Sequence, residues 1–349
     1  MTPLSAAQRR IVTLVLAGVG AGLFWLAGLP LPFLFGPMLA CLIAALAGVP
    51  LKGMGQVSVG MRTILGVAVG ASLTPAVIGQ LPQMALSVSL IPVYIGVIGI
   101  IGVPFFRSVY GFDWATSWYA AMPGGLQDMV TFGQEAGGDA RALALIHASR
   151  VLIVVTLAPL ILSALYGASL TGAVGEPVTA IPLHELALMA LAALVGWKGA
   201  ERIGLFGATI LGPMIVTAAL SLTGFIHFRP PAEAILVAQL FIGIGVGVQY
   251  VGVTLRELRS FALSGIVFVL VLAMLAAIFT ELVTLTGLAK PVEGFLAFAP
   301  GGQAEMTVLA LVTGADLGFV VLHHLVRILA VLLIAPLAGR HFIGMAKRR

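Results

Sequence analysis

The chain has 349 residues, 60% of them hydrophobic and 9% charged, with a formal net charge of +5 and a mean hydropathy of +1.14. A soluble domain cannot hide that much apolar surface, so the composition excludes a soluble globular protein and points to a polytopic membrane protein. The single cysteine, Cys41, excludes an intrachain disulfide and a cysteine-built metal site. The pI of about 9.7 reads as loops facing an anionic leaflet rather than as a nucleic-acid surface.

In chain order, apolar stretches long enough to cross a bilayer fall at roughly 11–28, 31–50, 57–80, 84–105, 141–165, 181–197, 203–226, 232–254, 261–287 and 316–339, giving ten predicted spans. The first follows Arg9 and Arg10 as a secretory signal would. No small-residue cleavage site follows it, and a counterpart recurs at 181–197, so it reads as a retained span. Two shorter segments, near 113–137 and 291–314, are each interrupted by Pro-Gly-Gly.

Those interruptions belong to a duplication. Sliding the chain along itself by one constant offset places Pro123-Gly124-Gly125 on Pro300-Gly301-Gly302, Asp128 on Glu305, Asp139 on Asp316, His147 on His324 and Arg150 on Arg327. Gly66 and Gly70 fall on Gly243 and Gly247, and with one residue of slippage Gly36-Pro37-Met38 falls on Gly212-Pro213-Met214. The predicted halves are 1–170 and 180–349, each with five spans and one interrupted segment.

If the interrupted segments dip into the membrane and return, the chain crosses ten times and the halves are inverted. With the N-terminus inside, fourteen Lys and Arg residues then lie at inside loops and span edges, and only Arg229 and Lys290 lie outside. If the segments cross instead, the split falls to eleven against five. The positive-inside rule favours inversion with both termini cytoplasmic. The predicted fold is therefore an all-α polytopic membrane protein of two inverted-topology repeats, with about ten transmembrane helices and two re-entrant helical hairpins. Many secondary transporters share that plan, and they move by alternating access of one bundle against another.

Proline removes a backbone donor and glycine admits conformations that other residues resist, so each Pro-Gly-Gly ends one half-helix and lets a second begin. The predicted half-helices are 114–122 and 126–137 in the first copy, and 292–299 and 303–313 in the second. Irregular backbone at membrane depth is tolerated only beside protein or a wet cavity. The exposed amides at the start of each second half-helix form a natural anion site. A plain tight turn in a packed hairpin is the simpler reading. The other breaks, Gly36-Pro37 and Gly212-Pro213, read as kinks or helix starts, and the glycine rows at 66–70 and 243–247 read as close helix contacts.

Arg150 and Arg327 lie roughly 14–17 Å into their spans, near the middle of a core about 30 Å thick. A charge at that depth needs a partner. His147 and His324, three residues earlier, share a face with them. Either each arginine bonds the carboxylate of its own half, Asp128 or Glu305, together with hairpin carbonyls, or it faces a cavity and holds an anionic solute. The histidines and the acids are also candidate carriers of a coupled proton. Asp139 and Asp316 stand where N-caps are expected. The candidate solute and ion site is therefore Pro123, Gly124, Gly125, Gln127, Asp128, His147 and Arg150 with Pro300, Gly301, Gly302, Gln303, Glu305, His324 and Arg327.

The motifs PGGLQDM…GGDAR…HASR and PGGQAEM…TGADLG…HHLVR resemble the membrane AbrB family, a bacterial group with an internal duplication, over essentially the whole chain. The resemblance implies an inner-membrane transport protein, although the family also carries the labels ammonia monooxygenase and regulator. The residues do not favour the first label. The six histidines, His147, His184, His227, His323, His324 and His341, show no ligand-spaced cluster, and adjacent His323 and His324 point apart. No metal, cofactor or catalytic residue is expected, and the chain is not read as an enzyme. Direct gene regulation lacks any soluble DNA-binding domain. The expected activity is secondary transport of a small organic solute, anions favoured, coupled to a proton or sodium gradient. A membrane sensor that alters gene expression indirectly and a channel are the alternatives. A homodimer is compatible with this plan.

Overall fold

A computed structural model describes residues 4–73, 75–168, 170, 175–205, 207–254 and 257–346. Arg256, Lys347, Arg348 and Arg349 of the topology argument lie outside the described residues, as do the side chains of Gln127, Arg340 and His341. Among the described residues the protein is all-α: α1 Ala6–Leu26, α2 Pro32–Leu46, α3 Gln56–Ser72, α4 Pro75–Pro104, α5 Trp114–Ala121, α6 Leu126–Glu135, α7 Ala140–Tyr166, α8 Leu183–Arg202, α9 Ala208–Leu222, α10 Ala232–Gly247, α11 Leu263–Leu285, α12 Pro291–Phe298, α13 Gln303–Thr313 and α14 Leu317–Ala346. Single π-helical turns follow α4 and precede α11.

Every predicted span contains a helix, but three helices are shorter than expected. Among the described residues, seven are long and apolar enough to cross a bilayer. α2 and α9 have 15 residues each and α3 has 17. The reason is local chemistry inside the apolar runs. Gly48 at φ 82° ends α2, Gly207 at 61° and Gly224 at 77° bound α9, and Gly55 at 58° and extended Leu73 bound α3. Pro37 and Pro213 lie inside their helices rather than at helix starts.

The duplication is visible in the element ends. Under the repeat, Pro32–Leu46 of α2 corresponds at both ends to Ala208–Leu222 of α9, and Trp114–Ala121 of α5 corresponds at both ends to Pro291–Phe298 of α12. The chain packs into two compact units, and each takes parts from both halves that match under the repeat, except that Thr307–Gly318 joins the first unit while its counterpart 130–141 lies in the second. One unit comprises Met1–Leu81, Ser163–Gly252 and Thr307–Gly318; the other comprises Pro82–Leu162, Val253–Met306 and Phe319–Arg349.

The first unit is assembled by glycine. Gly20 of α1 lies against the Gly36 backbone of α2, and Gly196 of α8 lies against the Gly212 backbone of α9. Gly66 and Gly70 of α3 rest on the carbonyls of Ile210 and Met214 in α9, while Gly243 and Gly247 of α10 rest on those of Leu34 and Met38 in α2. The third helix of each half thus packs on the second helix of the other half. A Cβ at any of these eight positions would collide with a facing carbonyl, so the small residue is what lets the backbones approach. Gly245, within the same row, would meet nothing within 4 Å, so the contact follows helical spacing rather than glycine content.

The second unit has an aromatic core. Tyr94, Phe106, Phe268 and Phe298 are all but fully buried there, with Tyr94 edge-on to Phe298 at 5.5 Å. At its margin Arg141 Nε donates to Glu257 Oε1 at 2.8 Å. That bond, with the N–H and hydroxyl of Thr254, pulls the Glu257 carboxyl down to about 2.

Gly212→Ala should destabilise the protein by about 1–3 kcal/mol through forced separation of α8 and α9. Gly18→Ala, where a Cβ meets nothing within 4 Å, should leave stability unchanged or slightly raised. Thermal unfolding of the two variants in detergent checks this pair, and equal midpoints would refute the seam.

Candidate functional site

Each interrupted segment is a pair of short helices, α5 with α6 and α12 with α13, joined through Pro-Gly-Gly, and both breaks lie in the second unit. The break leaves carbonyls without partners. In a continuous helix the Tyr119 carbonyl would accept from residue 123, but Pro123 has no N–H; the Leu296 carbonyl faces the same loss at Pro300. His147 Nε2 lies 3.0 Å from the Tyr119 oxygen, and His324 Nε2 lies 2.8 Å from the Leu296 oxygen. Each imidazole therefore donates to the carbonyl that its own repeat's proline orphans.

The arginines take the next carbonyls along. Arg150 donates to Met122 O at 3.1 Å and to Gly124 O at 2.7 Å. Arg327 donates to Ala299 O and Gly301 O, both at 2.7 Å. The two clamps match carbonyl for carbonyl under the repeat, and in the second Arg327 also donates to His324 Nδ1 at 2.9 Å. A planar guanidinium spans two carbonyls that a point-like ammonium cannot, and it sits at the negative end of the first half-helix, where a cation is favoured. Both side chains are buried, Arg150 at 5% exposure and Arg327 at 2%.

The carboxylates are not where one of the two expectations put them. Among the described residues neither guanidinium pairs with Asp128 or Glu305. Each acid stands in the first turn of its second half-helix and folds back over the glycine at the helix start, so that a Cβ on Gly125 would strike Asp128 Oδ2 and one on Gly302 would strike Glu305 Oε2. Three positions into a helix, an acid is drawn to the exposed amides and the positive dipole end. The chain's own carboxylates thus lie at the amide ends predicted to receive an anion. Pro123, Gly124, Pro300 and Gly301 are buried, and Gln303 is half-buried at the start of α13.

Two residues complete the site that the sequence reading did not single out. Tyr94 on α4 donates its hydroxyl to Phe298 O at 2.8 Å, one more carbonyl left over at the second break, and lies within electrostatic reach of both guanidiniums. Tyr94 has Val271 as its repeat counterpart, and that mismatch in an otherwise apolar span was the available signal. Thr116 closes the base of the first hairpin: its N–H and hydroxyl both bond the Asp113 side chain, and its oxygen accepts from the Asp139 N–H at 2.8 Å. Asp139 in turn caps α7 through Arg141 N and Ala142 N. His323 lies between Phe319 O and Ser87 Oγ, at 2.8 and 3.0 Å. Among the described residues no three His, Cys, Asp or Glu side chains gather as metal ligands would.

Among the described residues, three buried polar atoms at the clamps have no hydrogen-bond partner: Arg150 Nε, Arg327 Nε and His147 Nδ1. The carbonyls satisfy much of each guanidinium's hydrogen bonding without neutralising its charge.

Fold and site together define a polytopic all-α membrane protein with two arginine-clamped broken helices. The profile described as "Transition state regulatory protein AbrB" matches residues 33–343, and the chain belongs to that family. It is 26% identical over 338 residues to "Putative regulator AbrB" of Escherichia coli (strain K12), covering 92% of each chain. It is also 26% identical over 293 residues to "Uncharacterized protein YhjN" of Bacillus subtilis (strain 168), covering 79% of this chain and 76% of that one.

Arg150→Met and Arg327→Met should each cost about 2–4 kcal/mol of stability, since two buried carbonyls lose a charged donor. Lysine at either position should recover only part of the loss. Detergent thermal-unfolding midpoints measure both effects, and a methionine variant as stable as the parent would refute the clamp.

Proposed function

We propose that the protein is a secondary transporter of a small organic anion in the bacterial inner membrane, coupled to a proton or sodium gradient by alternating access. The observation that carries this reading is the pair of buried guanidiniums, held by neutral carbonyls and each keeping an unpartnered Nε–H. Uncompensated positive charge beside broken helices attracts an anion, and a guanidinium presents donors in a fork that suits a carboxylate or phosphate. The carboxylates of Asp128 and Glu305 are the natural competitors for the amide ends, so an arriving anion displaces a group of its own charge. Two packed units, each built from parts of both halves, supply the separate bodies that alternating access requires. The basic residues favour inverted halves with cytoplasmic termini.

The word "regulator" in a relative's name supports a second reading, a membrane sensor that binds the same solute without moving it. Reconstitution separates the two. In liposomes the protein should move an organic anion in response to a proton or sodium gradient, and Arg150→Lys or Arg327→Lys should lower the flux about tenfold or more. Solute binding without gradient-driven flux across a broad panel of anions would overturn transport in favour of sensing.

A further inference from the structure

The two repeats part company at one corner of the second unit, where α11 meets α12. In the first repeat that corner is made by Val103, Arg107 and Thr116. The matching positions of the second repeat hold Thr280, Thr284 and Glu293. The register holds in three dimensions, because Phe112 N bonds Phe106 O and, at the equivalent pair of the second repeat, Ala289 N bonds Val283 O. The first corner is internally satisfied: Arg107 donates to Phe112 O at 2.5 Å and lies over the Trp114 ring, and Thr116 bonds Asp113 and Asp139.

The second corner has lost its built-in cation and acquired oxygens that bond nothing. Glu293 Oε2, Thr280 Oγ1 and Thr284 Oγ1 are buried, and among the described residues none has a hydrogen-bond partner. Glu293 is 8% exposed and Thr280 2%. Helical threonines ordinarily bond the carbonyl one turn back, as Thr286 does to Leu282 O, and these two do not. Thr280 and Thr284 are one turn apart on α11 and share a face. A Cβ on Gly294, the neighbour of Glu293, would sit 3.5 Å from Thr280 Cγ2 and 3.6 Å from Thr280 O, so the glutamate backbone passes beside that face.

We propose that Glu293, Thr280 and Thr284 bind a monovalent cation of sodium size. The set is all oxygen, which suits a hard cation, and its single carboxylate balances one positive charge, whereas calcium sites collect several carboxylates. A buried carboxylate without a partner is costly, and a bound cation at this corner takes the place that Arg107 fills in the other repeat. The inference rests on the transporter reading only in making this cation the coupling ion.

The test is thermal unfolding of the detergent-purified full chain, titrated with sodium chloride against choline chloride at constant ionic strength. Sodium should raise the unfolding temperature saturably, and Glu293→Gln should move the midpoint of that titration about tenfold higher or abolish it. If Glu293→Gln does not fold, the near-isosteric Thr280→Val carries the same expectation. The inference is overturned by a parent protein that responds equally to sodium and choline. It is also overturned by a parental midpoint in Glu293→Gln, or in Thr280→Val when that variant stands in. A sodium-specific shift that vanishes in the variants upholds the site even where liposomes show no flux, and then removes only its coupling role.

Discussion

A proline that cannot donate a hydrogen bond is the constraint on which the second unit depends. Placed after a short helix inside a bilayer, it leaves carbonyls that water would satisfy at a surface and that lipid cannot. The chain supplies the missing donors from the long helix that follows. A histidine takes the carbonyl the proline orphans, and an arginine takes two more. The arginine's depth and the helix break thus explain each other: the break needs a buried donor, and a buried guanidinium needs acceptors. Since carbonyls lend only partial charge and leave both Nε–H groups without a partner, the net positive charge stays open.

Each unit is held together internally by a different kind of contact. In the first, the helix contacts at Gly20, Gly36, Gly196 and Gly212 and along α3 and α10 are backbone on backbone, which gives close van der Waals packing. In the second, buried aromatic rings surround polar clamps. Lipid supplies no hydrophobic drive between helices, so the first unit relies on close fit and the second on buried polar bonds that have no good alternative partner. The repeats are symmetric at the clamps and asymmetric around them: Tyr94 faces Phe298, His323 bonds Ser87, and Glu293 stands where the first half has Thr116.

Much of this was legible in the sequence because it is written in residues with narrow physical meaning. Pro-Gly-Gly marks a break, and the predicted half-helix limits fall within a residue or two of α5, α12 and α13. Arg150 and Arg327 announce themselves because charge at membrane depth demands a reason. Partner choice was less legible. Charge alone pairs each Arg with Asp128 or Glu305, yet the acids stand in the first turn of a helix and fold back over its starting glycine. Helix length was obscured because hydropathy runs on through Gly48 after α2, Leu73 after α3 and Gly224 after α9, where the backbone leaves the helical conformation. Tyr94 and Thr116 were hidden because neither residue type signals its role without knowing which carbonyl or N–H it faces. The compact units escaped because packing crosses the halves, which no linear pattern states.

The central claim is that the clamped breaks are the solute site. Its most direct measurement is thiol labelling of Leu126→Cys and Gln303→Cys, made in a Cys41→Ala background and reconstituted in liposomes. The account predicts that membrane-impermeant reagents reach both positions and that an anion which stabilises the purified protein slows their reaction. Cysteines inert to reagent from both sides of the membrane, or labelled at the same rate with and without that anion, would contradict it.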